Sequence, residues 1–225
     1  MATSSENTIA KAAQEVTNDE KETNGTEEVA VEPKTGVSFP VKLDDGKQLN
    51  CVGLRKKSML GFGIKVYSYG MYADNEKLED LLKSKIGKAP EKPTKELYQM
   101  VIDSDVEIVV RLAIVYSSLT ISMVRKNFGE GLGASIKKLN GGKKNDELDK
   151  KVMGQASDDI KLTSGSLIEI SRLPGFVLET KVMGEVISKV ESELLCRAYI
   201  NMYLGDDPLD KDAKDKFGIS LISLF

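Results

Sequence analysis

Two strand-length segments, residues 48–57 and 62–72, stand almost back to back, joined only by Ser58-Met59-Leu60-Gly61-Phe62-Gly63. A link this short permits a hairpin and nothing else, because parallel strands need a crossover of about a dozen residues. The hairpin then decides which side chains share a face. In its second strand Lys65, Tyr67, Tyr69 and Met71 fall on one face, and Ile64, Val66, Ser68 and Gly70 on the other, since side chains alternate. Arg55 lies near the end of the first strand. A guanidinium offers five donors in a fixed fork, and a phenol adds one more without adding charge. Arg55 beside Tyr67 and Tyr69 could grip an anionic or oxygen-rich group. On these residues alone, a solvated basic strand end (Arg55-Lys56-Lys57) above half-buried tyrosines explains the pattern equally well.

The remaining pattern is that of an α+β chain. Residues 37–43 alternate and lead through Asp44-Asp45-Gly46-Lys47, a hairpin turn, into the strand at 48. Leu78, Leu81, Leu82 and Ile86 predict a helix over 75–86 with Asp74 as its N-cap. A second helix is expected over 94–102, after Pro90 and Pro93, and a buried strand over 106–116. Ile121, Val124, Phe128, Leu132 and Ile136 form the apolar stripe of a helix over 119–139. Gly129, Gly131 and Gly133 weaken that helix by roughly 1 kcal/mol each, which points to close packing or a nearby ligand. They lie inside a helical pattern, so Gly-Glu-Gly-Leu-Gly is not a phosphate loop. A short helix over 146–153, a hairpin of 166–172 with 176–182, a long helix over 183–204 and a closing helix over 208–217 complete the reading. Strands come in runs with helices between and after them, not as repeating βαβ units.

Composition removes several functions. The 225 residues contain no histidine, so Ser-His-Asp and Cys-His machinery and the usual zinc sites are excluded. The two cysteines, Cys51 and Cys196, are far apart, and free thiols are expected. A formal charge of -3 gives no reason to expect a nucleic-acid partner. No apolar run approaches the ~20 residues of a membrane span. Residues 1–35 are polar and acidic, lack aromatics and are expected to form a disordered tail; residues 36–225 form the domain. The tail has neither the apolar stretch of a secretory signal nor the Arg-rich, acid-poor character of a transit peptide.

Cys51-Val52-Gly53-Leu54-Arg55 followed by Val66-Tyr67-Ser68-Tyr69-Gly70-Met71-Tyr72-Ala73-Asp74 resembles the strand pair of the chalcone isomerase-fold family. Arg125-Lys126-Asn127-Phe128 and Leu194-Leu195-Cys196-Arg197-Ala198-Tyr199 extend the resemblance over about residues 37–225. It is strongest to the non-catalytic plant branch, the chalcone-isomerase-like fatty-acid-binding proteins. The resemblance implies an open-faced β-sandwich: a large antiparallel sheet, helices packed on one face, and a ligand cleft between them. It places the family's cleft arginine at Arg55 and a carboxylate-binding tyrosine at Tyr67, with Tyr69 beside it. The isomerases' helix Tyr and Asn fall on Ile121 and Phe128, with Thr120 and Asn127 one residue away. Their late-helix hydroxyl falls on Met202. These departures argue against catalysis. The implied protein is a monomeric, cofactor-free binder of a medium- to long-chain fatty acid in the plastid stroma, with the cytosol as the alternative. A chalcone-to-flavanone isomerase and a non-catalytic auxiliary of flavonoid synthesis are the competing readings.

Overall fold

The computed structural model describes residues 28–59, 62–117, 119–153 and 160–225. Residues 1–27 of the tail expected over 1–35, and the link residues Leu60 and Gly61, lie outside the described residues.

Order begins before the boundary expected at residue 36. Strand β1 (Val29–Val31) pairs antiparallel with β2 (Ser38–Pro40). Between them Glu32 is buried, and its carboxylate accepts from the Thr35 hydroxyl at 2.6 Å and the Lys34 amide at 3.2 Å. The Thr35 hydroxyl also meets that of Ser68 at 2.7 Å. These polar residues read as tail by composition, yet they satisfy one another locally. β1 also takes over as partner of the 37–43 segment. That segment meets the next strand at only one isolated bridge, Lys42 with Gln48.

Strands β3 (Gln48–Met59) and β4 (Phe62–Ala73) form the expected antiparallel hairpin. Helix α1 (Asn75–Lys85) follows, then α2 (Lys95–Asp103) and β5 (Ile108–Ile114). The short β6 (Leu119–Thr120) runs straight into α3 (Ile121–Leu139). After α4 (Asp146–Lys151), β7 (Lys161–Leu162) pairs with β6, and β8 (Leu167–Leu173) turns back as β9 (Val177–Val182). β10 (Glu185–Glu191), α5 (Glu193–Leu204) and α6 (Lys211–Ile222) complete the chain.

The single helix expected over residues 183–204 is a strand followed by a helix. Met183 and Gly184 both adopt positive φ, 51° and 86°, as a tight two-residue hairpin turn requires. Val182 pairs with Glu185 across that turn. Val186, Ile187 and Val190 have helical spacing but are β-branched, and pairing with β9 decides their state. Ser192 then caps α5, accepting from the Leu195 amide at 3.2 Å. Asp74, Thr94, Thr120 and Asp210 cap α1, α2, α3 and α6 in the same way, each contributing about 1 kcal/mol.

Six strands form one antiparallel sheet in the order β10-β9-β8-β5-β4-β3. One face carries the main core: Val110, Leu112, Ile168, Ile170 and Leu178 are buried together with apolar residues of the helices. Each such side chain contributes about 1.5–3 kcal/mol on burial. The other face holds only a small cluster, Phe39, Tyr72, Val109 and Ala113, beneath the β2 segment. This is the α+β, open-faced arrangement that the sequence implied.

Two polar features hold this core. The Arg172 side chain, on β8, has no exposed surface. Its guanidinium donates to the carbonyls of Val101 (3.0 Å), Ile102 (3.1 Å) and Val106 (2.9 Å). Val101 and Ile102 belong to the last turn of α2, where carbonyls lack intrahelical partners and a cation is favoured. Burial draws the Arg172 pKa down to about 10, still well above neutrality. The second feature is a set of buried acids. Desolvation raises the pKa of Tyr67, Tyr69, Tyr72, Tyr98, Tyr199 and Tyr203, and of the free thiols Cys51 and Cys196.

Arg172→Met removes a donor from three carbonyls, of which Val101 keeps the Ser104 hydroxyl at 3.0 Å. At about 1–3 kcal/mol for each of the other two, it is expected to lower stability by roughly 2 kcal/mol or more in urea titration; an unchanged midpoint would refute the latch. The buried acids have folded pKa values above their unfolded ones. Their contribution is therefore complete below the unfolded values of 9.0 and 10.0 and is lost as the pH rises toward about 12. Tyrosinate absorbance and loss of circular dichroism should accordingly rise together in this window. Ionisation of these phenols with the dichroism still native would contradict it.

Candidate functional site

The β3–β4 register opposes Arg55 to Tyr67 and Gly53 to Tyr69. Opposed side chains of an antiparallel pair stand about 4.5–5.5 Å apart at Cβ and share a face. Gly53 lets that face close. A Cβ there would lie 2.5 Å from Tyr69 Cζ and 2.7 Å from Ala213 Cβ, so any side chain would lift both the ring and α6 off the strand.

Just past Arg55 the register slips, and Lys56 pairs with Lys65. A bulge bends its strand and re-aims side chains. Two consequences depart from simple alternation. Val66, expected on the face opposite Tyr67, lines the same cleft. Lys57 reaches α3, where its ammonium donates to Asn127 Oδ1 and pairs with Glu130 Oε2 at 3.0 Å.

The cleft lies between this end of the hairpin and the helices. Val66 and Tyr67 form the sheet wall, and Val124, Asn127 and Phe128 the α3 wall. Met202 of α5 faces them, and Leu119 and Leu209 complete the apolar lining. The space is about 430 Å³ counting its open mouth. The Met202 methyl lies 3.1 Å from where a Cβ on Gly131 would be. At Gly131, then, the glycine-rich turn of α3 does mark close packing.

A layer of phenols backs the cleft. Tyr67 meets Tyr69 edge-on at 6.4 Å between ring centres, Tyr69 meets Tyr203 at 5.1 Å, and Tyr203 meets Tyr199 at 5.4 Å. Tyr199 stacks on Phe128 at 5.8 Å. Burial raises the Tyr67 pKa, although the Arg55 charge pulls it back. Tyr67 therefore keeps its proton at neutral pH and can donate a hydrogen bond, not accept a proton. Arg55 is half-buried and makes no hydrogen bond or ion pair with any described residue. Its fork of donors borders an apolar cleft without a protein acceptor.

Arg55, Tyr67, Asn127, Phe128 and Met202, all singled out in the sequence, meet at this cleft. Tyr69 lies one layer deeper, fully buried, with its hydroxyl unpartnered. Thr120 is a helix cap, accepting from the Met123 amide at 3.2 Å. Ile121 belongs to the core, not the lining. Lys57 read as strand-end charge, Leu119 as the start of a helix, and Leu209 as part of the closing helix expected over 208–217, whereas α6 starts only at Lys211. Among the described residues no cluster of His, Cys, Asp or Glu is arranged to hold a metal, and no helix is long and apolar enough to cross a membrane.

Comparison with known proteins agrees with this geometry. The profile of the family described as chalcone isomerase-like matches residues 32–217, a span that begins upstream of the boundary expected at 36. Chalcone isomerase-like protein 1 of Humulus lupulus is 62% identical over 199 residues, 88% of this chain and 93% of that protein. Fatty-acid-binding protein 1 of Arabidopsis thaliana is 38% identical over 195 residues, 85% of this chain and 70% of that one. The crystal structure of an Arabidopsis thaliana fatty-acid-binding protein aligns with a TM-score of 0.81 at 37% identity, covering 88% of this chain and 98% of that one. With its fold, its cleft and its sequence in agreement, the chain belongs to the chalcone isomerase-like family.

Proposed function

We propose that this protein binds a fatty acid without transforming it, the carboxylate meeting Arg55 and the Tyr67 hydroxyl and the chain lying in the apolar cleft. One observation carries the reading: a guanidinium with no partner among the described residues sits at the edge of an apolar slot. The energetics agree. Each buried methylene contributes about 0.8 kcal/mol, so the chain supplies most of the affinity. A charge-assisted bond to Arg55 sets polarity and register. The Arabidopsis sequence relative and the solved structure both carry the name fatty-acid-binding protein 1, which supports the same ligand class.

Cyclisation of a chalcone is the other chemistry considered for this fold. It needs donors oriented at a developing enolate oxygen. At the positions of the isomerases' helix Tyr and Asn this chain has Ile121 and Phe128, so α3 offers the enolate no donor there. The donors at the cleft, Arg55, Tyr67 and the Asn127 amide, serve a carboxylate equally well. A role in plastid lipid metabolism is carried by the resemblance alone; imaging a fluorescent-protein fusion separates stroma from cytosol.

Native mass spectrometry of the purified protein followed by solvent extraction should recover a co-purified acyl ligand. Recovery of a flavonoid instead, or bleaching of a chalcone on mixing, would displace this reading. Arg55→Ala should weaken palmitate by about 10- to 100-fold, as expected for a lost charged hydrogen bond of about 1.5–3 kcal/mol. Hexadecanol, measured by the same calorimetry, should change little, and the urea midpoint should stay within about 0.5 kcal/mol. Equal losses for acid and alcohol, or unfolding of the variant, would make Arg55 a structural residue.

A further inference from the structure

We infer that the acyl ligand of this cleft carries a phosphate-bearing head group, which leaves the apolar slot at Arg55 and runs between α3 and the end of α5 to a cluster of lysines. The inference rests on the acyl-binding reading above and replaces the free carboxylate at Arg55 and Tyr67 with the acyl carbonyl of a conjugate. Arg55 does not end the cavity. A second cleft, about 750 Å³ with its open side, shares Arg55, Met202 and Leu209 with the first. Its remaining lining is largely polar, with Ser135, Asn201 and Lys138. A third, about 590 Å³, shares Lys138 and Asn201 with the second and adds Lys95 and Lys214. The three clefts adjoin one another through these shared residues, apolar at one end and basic at the other, with Arg55 at the first boundary.

Charge along the track changes in a way that suits such a head. Asp207 lines the second cleft and disfavours an anion there. That stretch fits the neutral, hydrogen-bonding part of a head group: Asn201 uses one amide N–H on the Ser135 hydroxyl at 2.8 Å and has a second. The third cleft is positive. Lys95 and Lys138 share one carboxylate, Asp206, at 3.0 and 2.7 Å. Lys214 donates to the Gly205 carbonyl at 2.7 Å and lies 4.5 Å above the Tyr98 ring, with no carboxylate in ion-pair range. Three ammoniums against Asp206, with Asp215 also acting on Lys214, still leave a positive balance, and phosphate oxygens accept several such donors at once. A free fatty acid would use Arg55 and Tyr67 and leave the rest of this track idle.

A phosphate-bearing acyl group can come from an acyl thioester of coenzyme A or from a lysophospholipid, and the test carries one arm for each. Palmitate, palmitoyl-coenzyme A and 1-palmitoyl lysophosphatidate are titrated by calorimetry below their micellar concentrations, into the wild type and into Lys95→Gln/Lys138→Gln. Both lysines are exposed, so the fold should survive; circular dichroism verifies it, and Lys95→Gln alone serves if the double variant misfolds. At least one conjugate should bind 10-fold or more tightly than palmitate. The variant should weaken that conjugate about 10-fold and palmitate less than 2-fold, with the difference shrinking as salt rises. Gain by the thioester alone identifies the longer head, and gain by the lysophosphatidate alone the shorter. Palmitate matching both conjugates, or equal losses for palmitate and the conjugates in the variant, overturns the inference and leaves acyl binding standing. Failure of all three to bind the wild type overturns acyl binding itself.

Discussion

The missing side chain at Gly53 is the constraint on which the rest of this site depends. With hydrogen alone at that Cα, the Tyr69 ring lies against β3 and Ala213 of α6 comes within contact of the same spot. The approach is then locked by polar bonds. The Leu54 amide donates to Asp210 Oδ2 at 3.0 Å, and Asp210 Oδ1 accepts from the Ala213 amide at 3.2 Å. One carboxylate thus ties the edge strand to the start of α6. The segment held by that tie includes Leu209, which lines the cleft beside Arg55. Arg55 follows Leu54 directly, and the bulge after it twists the hairpin end toward α3. Strand, loop and helix meet at the cleft because they first meet at Gly53.

Legibility in the sequence followed the range of the forces involved. Period-two alternation and short links exposed the β3–β4 hairpin, and with it the Arg55–Tyr67 pair. Capping residues such as Asp74 act within three positions, so the start of α1 was readable. Local signals misled where a distant partner decides the outcome. Val186, Ile187 and Val190 have helical spacing, but β9 offers them a ladder. Glu32 and Thr35 look like tail, but Ser68 and each other's side chains receive them. Arg172 carried no mark of burial at all, because its acceptors lie on α2 and in the loop after it, roughly seventy positions away in the chain. Within the site the same rule holds: Lys57 and Leu209 enter the cleft through a bulge and a loop, neither of which periodicity records.

Arg172 and Arg55 show how one side chain serves two ends. Arg172 is enclosed and surrounded by carbonyl oxygens at hydrogen-bonding distance. Its charge is satisfied by the fold, so nothing remains to recognise a ligand. Arg55 is half-buried beside Tyr67 and Met202 and meets no acceptor among the described residues. Part of its charge stays solvated at the open side of the cleft, which is why the unliganded protein tolerates it. The phenols behind it cannot neutralise it, since burial keeps their protons in place.

Ligand choice follows from that asymmetry. A molecule entering the cleft displaces water from Arg55, and a desolvated guanidinium without a partner is unfavourable. A purely apolar guest would gain burial of its chain and strand the charge. A guest with an anionic or strongly accepting group at the right distance gains the same burial and satisfies the fork. Selectivity thus arises as much from the penalty on neutral guests as from attraction to charged ones. On the proposed reading the apolar walls need not be specific: Val66, Val124, Leu119 and Met202 would supply affinity in proportion to area, while Arg55, shared by the slot and the polar cleft beside it, would decide which end of the guest lies where.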